Sequence, residues 1–192
     1  MPVTDAVINP KDGAMYFTIG GRRVQSGLYR ITYIGDEDNS PVNAKTSGQR
    51  ARNLRRSLEQ YHGVIDANAV KKAWRYLDHE DPFMRSAARI AIESQPSRTW
   101  ANRALKERSA SRQIPALLAL ARVEGIDPFH RKDSDPTVNK TLGEDIVNAL
   151  LNIDFDKLSE IDQRGFVRTY QVVFNRFGRP KPALAMKVTV QL

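Results

Sequence analysis

Residues 76–93 read YLDHEDPFMRSAARIAIE, and the spacing inside this stretch decides the fold. Asp81 carries the short carboxylate that accepts hydrogen bonds from the first unpaired N–H groups of a helix, and Pro82 is preset for the first turn. Met84, Ala87, Ala88 and Ala91 then return every three or four residues, which puts them on one helical face. Most of them are alanines, small enough to let a second helix approach closely. Residues 67–77 supply that helix, with Val70, Ala73, Trp74 and Leu77 turned inward. The pair predicts the first complete repeat of an α-solenoid.

The pattern continues on both sides. Before it, Ala51, Leu54, Leu58 and Tyr61 form an apolar stripe opposite Arg52 and Arg56, and Gly63 ends that helix. After it, Ser97 caps a helix carrying Trp100, Ala104 and Leu105. Ile114, Leu117, Leu118 and Ala121 lie on the next, closed by Gly125. Residues 126–140 hold two Asp-Pro pairs and no period, and read as an extended loop. Helix resumes over 142–153 and again over 162–177, where Phe166, Val167, Tyr170, Val173 and Phe177 are expected inside. Gly178-Arg179-Pro180 stops it. Pro182 opens a last helix that meets Leu192 in mid-pattern, which points to a chain that continues. The pairs recur at roughly thirty to forty residues, within the range of HEAT-like arrays; an irregular helical bundle shares the same periodicity.

Residues 1–35 differ in kind. VTDAVIN ends in the turn sequence Pro10-Lys11-Asp12-Gly13, and AMYFTI (14–19) is aromatic and β-branched. Gly20-Gly21 is expected to break this strand, RRVQS to form a loop, and GLYRITYI (27–34) to form a third strand. The prediction is an antiparallel meander, marginal by itself because three short strands bury little apolar surface. Met15, Phe17, Tyr29 and Ile31 need a cover, from the following helices or from a sheet outside this chain. Residues 36–48 read as a linker and 49–192 as the helical domain. The fold class is therefore mainly α: a HEAT-like α-solenoid or helical array with a small N-terminal antiparallel β-meander.

Composition narrows the function. Hydrophobic residues make up 41% of the 192, enough for a core, and no apolar run is long enough to span a bilayer. The start, MPVTDAVINP, has neither the basic nor the apolar segment of a signal peptide. There is no cysteine, so disulfides, thiolate metal sites, cysteine nucleophiles and covalent haem attachment are excluded within these residues. The net charge of +8 is uneven: −1 over residues 1–44, +9 over 45–132 and 0 over 133–192. The basic character belongs to the first helices. Such a surface attracts an acidic protein face, anionic lipid or nucleic acid; the last is disfavoured because no base-stacking aromatic pattern accompanies it.

INPKDGAMYFTIGG followed by SGLYRITYIG resembles the closing blade of the β-propeller in glucose/sorbosone-type dehydrogenases. The matching residues are Pro10, Asp12, Gly13, Ala14, Tyr16, Gly27, Leu28, Tyr29, Arg30 and Ile31, with Lys11 inserted. RNLRRSLEQYHG and DPFMRSAARIAIE resemble the HEAT-like region that follows this propeller in large bacterial membrane-bound-dehydrogenase-type proteins, which close with a c-type cytochrome. The resemblance implies a last blade plus a helical spacer, periplasmic or extracellular, flanked by propeller and cytochrome domains. It brings no cofactor, because the quinone, calcium and catalytic base of such enzymes come mainly from earlier blades. The Cys-x-x-Cys-His haem signature is also missing.

Candidate chemistry is sparse. His62, His79 and His130 have no metal-ligand spacing, and neither Asp78-Glu80-Asp81 nor Asp133-Asp135 fits a calcium loop. Gly20-Gly21 lacks the helix a phosphate loop requires, so Arg22 and Arg23 read first as a β-turn with exposed arginines; the propeller resemblance implies a loop at the rim, which makes them the candidate anion-binding pair. Asp5 is expected to face the propeller's central channel. Arg52, Arg55 and Arg56 are the candidate partner-binding residues on the helices. The sequence thus predicts no enzyme but a scaffolding connector, with a free-standing HEAT-type binding protein for an acidic protein or nucleic acid as the alternative.

Overall fold

A computed structural model describes residues 2–38 and 47–191 and divides the chain into two compact units, Met1–Lys45 and Thr46–Leu192. The division falls inside the segment read as a linker, of which residues 39–46 lie outside the described residues. The architecture is mainly α with a small N-terminal antiparallel sheet.

In the first unit β1 (Val3–Ile8), β2 (Met15–Gly21) and β3 (Val24–Ile31) pair in chain order. The β1–β2 turn closes as its sequence requires: Gly13 takes a left-handed φ of 65° and donates to the Asn9 carbonyl at 2.9 Å. The second hairpin is tighter than expected. Gly20 and Gly21 stay in β2, and Arg22-Arg23 alone make the turn, with Gly21 opposite Val24. Two-residue hairpins favour positive φ, and Arg23 supplies it at 64° without being glycine. β3 consequently starts before residue 27 and ends at Ile31 instead of Ile34.

Register sorts the side chains. Ile8, Met15 and Ile31 lie opposite one another across the three strands, as do Ala6, Phe17 and Tyr29, so all six share one face. Phe17 and Tyr29 stack with centroids 5.3 Å apart. That face is open: Met15 is 40% exposed, Tyr29 48%, Ile31 53% and Ile8 54%. Among the described residues of this unit only Ala14 and Gly20 are buried.

The second unit contains α1 (Gln49–Glu59), α2 (Ala69–Trp74), α3 (Pro82–Glu93), α4 (Ala101–Lys106), α5 (Ala110–Glu124), α6 (Lys140–Leu151), α7 (Glu160–Phe177) and α8 (Pro182–Gln191). At the head of α3, Asp81 accepts from the Phe83 N–H at 2.8 Å and Pro82 occupies the first turn. Met84, Ala87, Ala88 and Ala91 are all buried. Alternate helices pack on one another, α3 on α5 and α5 on α7, then α4 on α6 and α6 on α8; α1 and α2 close over α3. Trp74, Trp100, Leu117, Leu120, Ile146, Leu150 and Phe166 fill the shared core.

Three departures have local causes. The helix expected from Ser97 breaks into a single 3-10 turn (Ser97–Thr99) and α4. Trp100 between them leaves helical geometry so that its buried indole can donate to the Gln95 carbonyl at 3.2 Å. Val167 lies on the outer side of α7 and is 36% exposed. Gly125 and Gly143 have a packing role the sequence did not announce: a Cβ at either would come within 2.9 Å of the Phe177 side chain.

Candidate functional site

The basic segment folds into a surface where cations sit over aromatic rings. Lys72 Nζ lies 5.4 Å from the Tyr61 ring centre, Arg75 5.0 Å from Tyr76, and Arg103 4.2 Å from Trp74. Trp74 anchors this arrangement. It is buried beneath Arg103, and its indole N–H donates to Glu107 Oε2 at 2.6 Å. The other Glu107 oxygen accepts the Arg108 and Ser109 N–H groups at 2.8 and 3.0 Å, tying α2 to the start of α5. Burial pushes the Glu107 carboxyl up, but the bonds from Ser109, Trp74 and Arg108 outweigh it and hold the group below the ordinary glutamate range.

The carboxylates of this region are largely engaged internally. Asp78 pairs with Arg112 at 2.7 Å, Glu59 with Arg55 at 3.0 Å, and Glu93 holds both Arg89 and Arg122. Exposed Arg50, Arg56, Lys71, Arg98, Lys106 and Arg108 have no carboxylate partner among the described residues. Of the residues named from sequence, Arg52, Arg55 and Arg56 fall together on α1, with Arg56 exposed and Arg52 and Arg55 half-buried. Arg52 reaches Gln49 Oε1 at 3.2 Å. Arg22 and Arg23 form the exposed β2–β3 turn in the other unit.

No family model, curated protein or solved structure matches this chain. In the sheet unit three polar residues, Asp12, Tyr16 and Arg30, come together. Asp12 Oδ2 accepts from the Tyr16 hydroxyl at 2.8 Å and lies 3.4 Å from Arg30, while Oδ1 accepts the Ala14 N–H at 3.1 Å. One carboxylate thus joins the turn to β2 and β3. The Tyr16 hydroxyl, followed by the Ala14 N–H, holds the Asp12 carboxyl below the usual aspartate range.

The three histidines and Asp5 have structural partners. His62 Nε2 meets the Ala87 carbonyl at 2.9 Å, His79 Nδ1 accepts the Asp81 N–H at 3.0 Å, and His130 Nδ1 lies 3.0 Å from Asp127. Asp5 accepts the neighbouring Ala6 N–H at 2.8 Å. Sequence reasoning missed Glu107 and Arg103 because their meaning lies in a contact with Trp74 across some thirty positions, for which no local spacing exists.

Proposed function

We propose that this chain is a non-catalytic connector in a larger exported redox protein. In this reading its sheet is the terminal blade of a propeller, and its helical unit is a HEAT-like spacer toward a haem-bearing electron acceptor. The observation that carries it is the open face of Ile8, Met15, Phe17, Tyr29 and Ile31. Three strands with such a face need a second apolar layer, and blades of a propeller give one another that layer by stacking. The Asp12–Tyr16–Arg30 junction supports the blade reading, because the residues that carry the resemblance are those that set the hairpin's shape. The packing of alternate helices supports the repeat reading, since successive pairs in a solenoid touch in that order.

The coding sequence on either side tests this directly. Blade-like strand repeats upstream and a Cys-x-x-Cys-His segment downstream are expected. Stop codons immediately flanking a soluble, monomeric product would overturn the reading.

A second reading draws on the unpaired cations over α1, α2 and α4: a binding protein whose arginines recognise an acidic protein surface or nucleic acid. The rings beneath Lys72, Arg75 and Arg103 hold their stems in place and reduce the entropy lost when a partner binds. Binding that weakens steeply with salt, and that fails in an Arg75→Gln, Arg103→Gln double variant, would favour it.

A further inference from the structure

We propose that the cleft between the 126–139 loop, the start of α6 and the end of α7 binds a small phosphate ester with an apolar body. Two adjoining cavities, of about 510 and 270 Å³, share Lys140, Phe177 and Gly178. Together they fall in the size range of small-ligand sites. Ile126, Val138 and Phe177 make an apolar floor. Phe177 is fixed there from two sides: a Cβ on Gly143 would lie 2.8 Å from its side chain, and one on Gly125 would lie 2.9 Å from its ring. At Gly178, by contrast, a Cβ would meet nothing within 4 Å, so the end of α7 leaves the cleft open.

The rim is mainly cationic: Arg131, Lys140, Arg176, Arg179 and Lys181 line the two cavities against the single carboxylate of Glu144. Arg131, Lys140 and Arg179 line the two cavities and have no hydrogen-bonded or ion-paired side-chain partner among the described residues. The neighbouring carboxylates are already engaged. Glu144 holds Lys181 at 2.9 Å, and Asp127 lies 3.0 Å from His130 and 3.7 Å from Arg176. Arg176 is a structural member of the wall, donating to the Arg122 and Gly125 carbonyls at 3.0 and 3.3 Å. Three cations around a partly enclosed apolar surface repel one another, and an anion relieves that repulsion. A dianionic phosphate suits three cations better than a single carboxylate does, and the floor supplies affinity for the rest of the ligand.

The Lys140 and Arg131 side chains make no hydrogen bond or ion pair among the described residues, so variants there separate binding from folding. The full chain, labelled for amide NMR, is titrated at low salt with phenyl phosphate, inorganic phosphate and phenol. Phenyl phosphate is expected to shift the amides of Lys140, Phe177 and Gly178 and to bind at least about tenfold more tightly than either fragment. Lys140→Gln and Arg131→Gln are each expected to weaken it about tenfold or more with an unchanged melting temperature. Equal binding of phenyl phosphate and inorganic phosphate would overturn the proposal, as would shifts spread over the arginines of α1 and α4 that ignore both substitutions. So would no shift at all.

Discussion

The two units place similar residues in opposite circumstances. In the helical unit Trp74 and Phe166 are enclosed, and even a buried amide such as Gln95 is fully used. Its side chain accepts the Asp66 N–H at 2.9 Å and donates to the Val64 and Ala91 carbonyls at 2.8 and 3.1 Å. In the sheet unit Phe17 and Tyr29 stack on each other but have water on the outer side. Apolar side chains stabilise only in proportion to the surface they remove from water. The helical unit therefore encloses a core of its own, whereas the described residues of the sheet unit enclose almost none.

That contrast is broken most forcefully at its aromatic centres. Trp74→Ala should cost about 3–5 kcal/mol, since it opens a large cavity and also strips Glu107 of its indole donor. Phe17→Ala should cost less than about 1 kcal/mol in urea unfolding followed by circular dichroism, because its ring is already partly solvated. Equal losses at the two sites would abolish the distinction.

A smaller effect sharpens it from the side of close packing. Ala88→Leu and Gly143→Ala each force new atoms into filled space and should cost about 1–3 kcal/mol by the same measurement. Asp81→Ala removes the carboxylate that accepts the Phe83 N–H and should cost about 0.5–2 kcal/mol.

How much of this was legible beforehand follows the range of the forces involved. Asp81, Pro82 and the alanines after them act within one turn of helix, so their roles can be read from spacing, and the structure places each as expected. The Pro10–Gly13 turn was legible for the same reason. A turn at Arg22-Arg23 was legible too, but not its two-residue tightness, because that depends on a non-glycine residue accepting a left-handed backbone, which side-chain type does not announce. Gly125, Gly143 and Glu107 were illegible for another reason: each matters through a partner far along the chain, Phe177 or Trp74. Of the candidate binding residues, the arginines of α1 could be placed on one helix by their spacing, with Arg56 exposed and Arg52 and Arg55 half-buried, whereas the cleft beside Phe177 forms only when the 126–139 loop folds over α7.

The smallest expected effect concerns acid. The Asp12 carboxyl is depressed in the folded hairpin relative to its ordinary value of 3.8. A depressed carboxylate adds stability that is complete above the unfolded value and is lost as pH falls through the lower folded one. The amides of the β1–β2 turn should thus lose protection below about pH 4, and Asp12→Asn should remove that dependence. Glu107, also depressed, gives the helical unit a dependence of the same sign.

Hydrogen exchange on the intact chain near neutral pH tests the central contrast most directly. The account predicts that the amides of Val3–Ile8, Met15–Gly21 and Val24–Ile31 exchange within a few orders of the unfolded rate, while those of α3, α5 and α7 are protected to the level of global unfolding. Strand amides protected as strongly as α5, in the monomer and without any added partner, would mean that the sheet is complete by itself and would contradict the account.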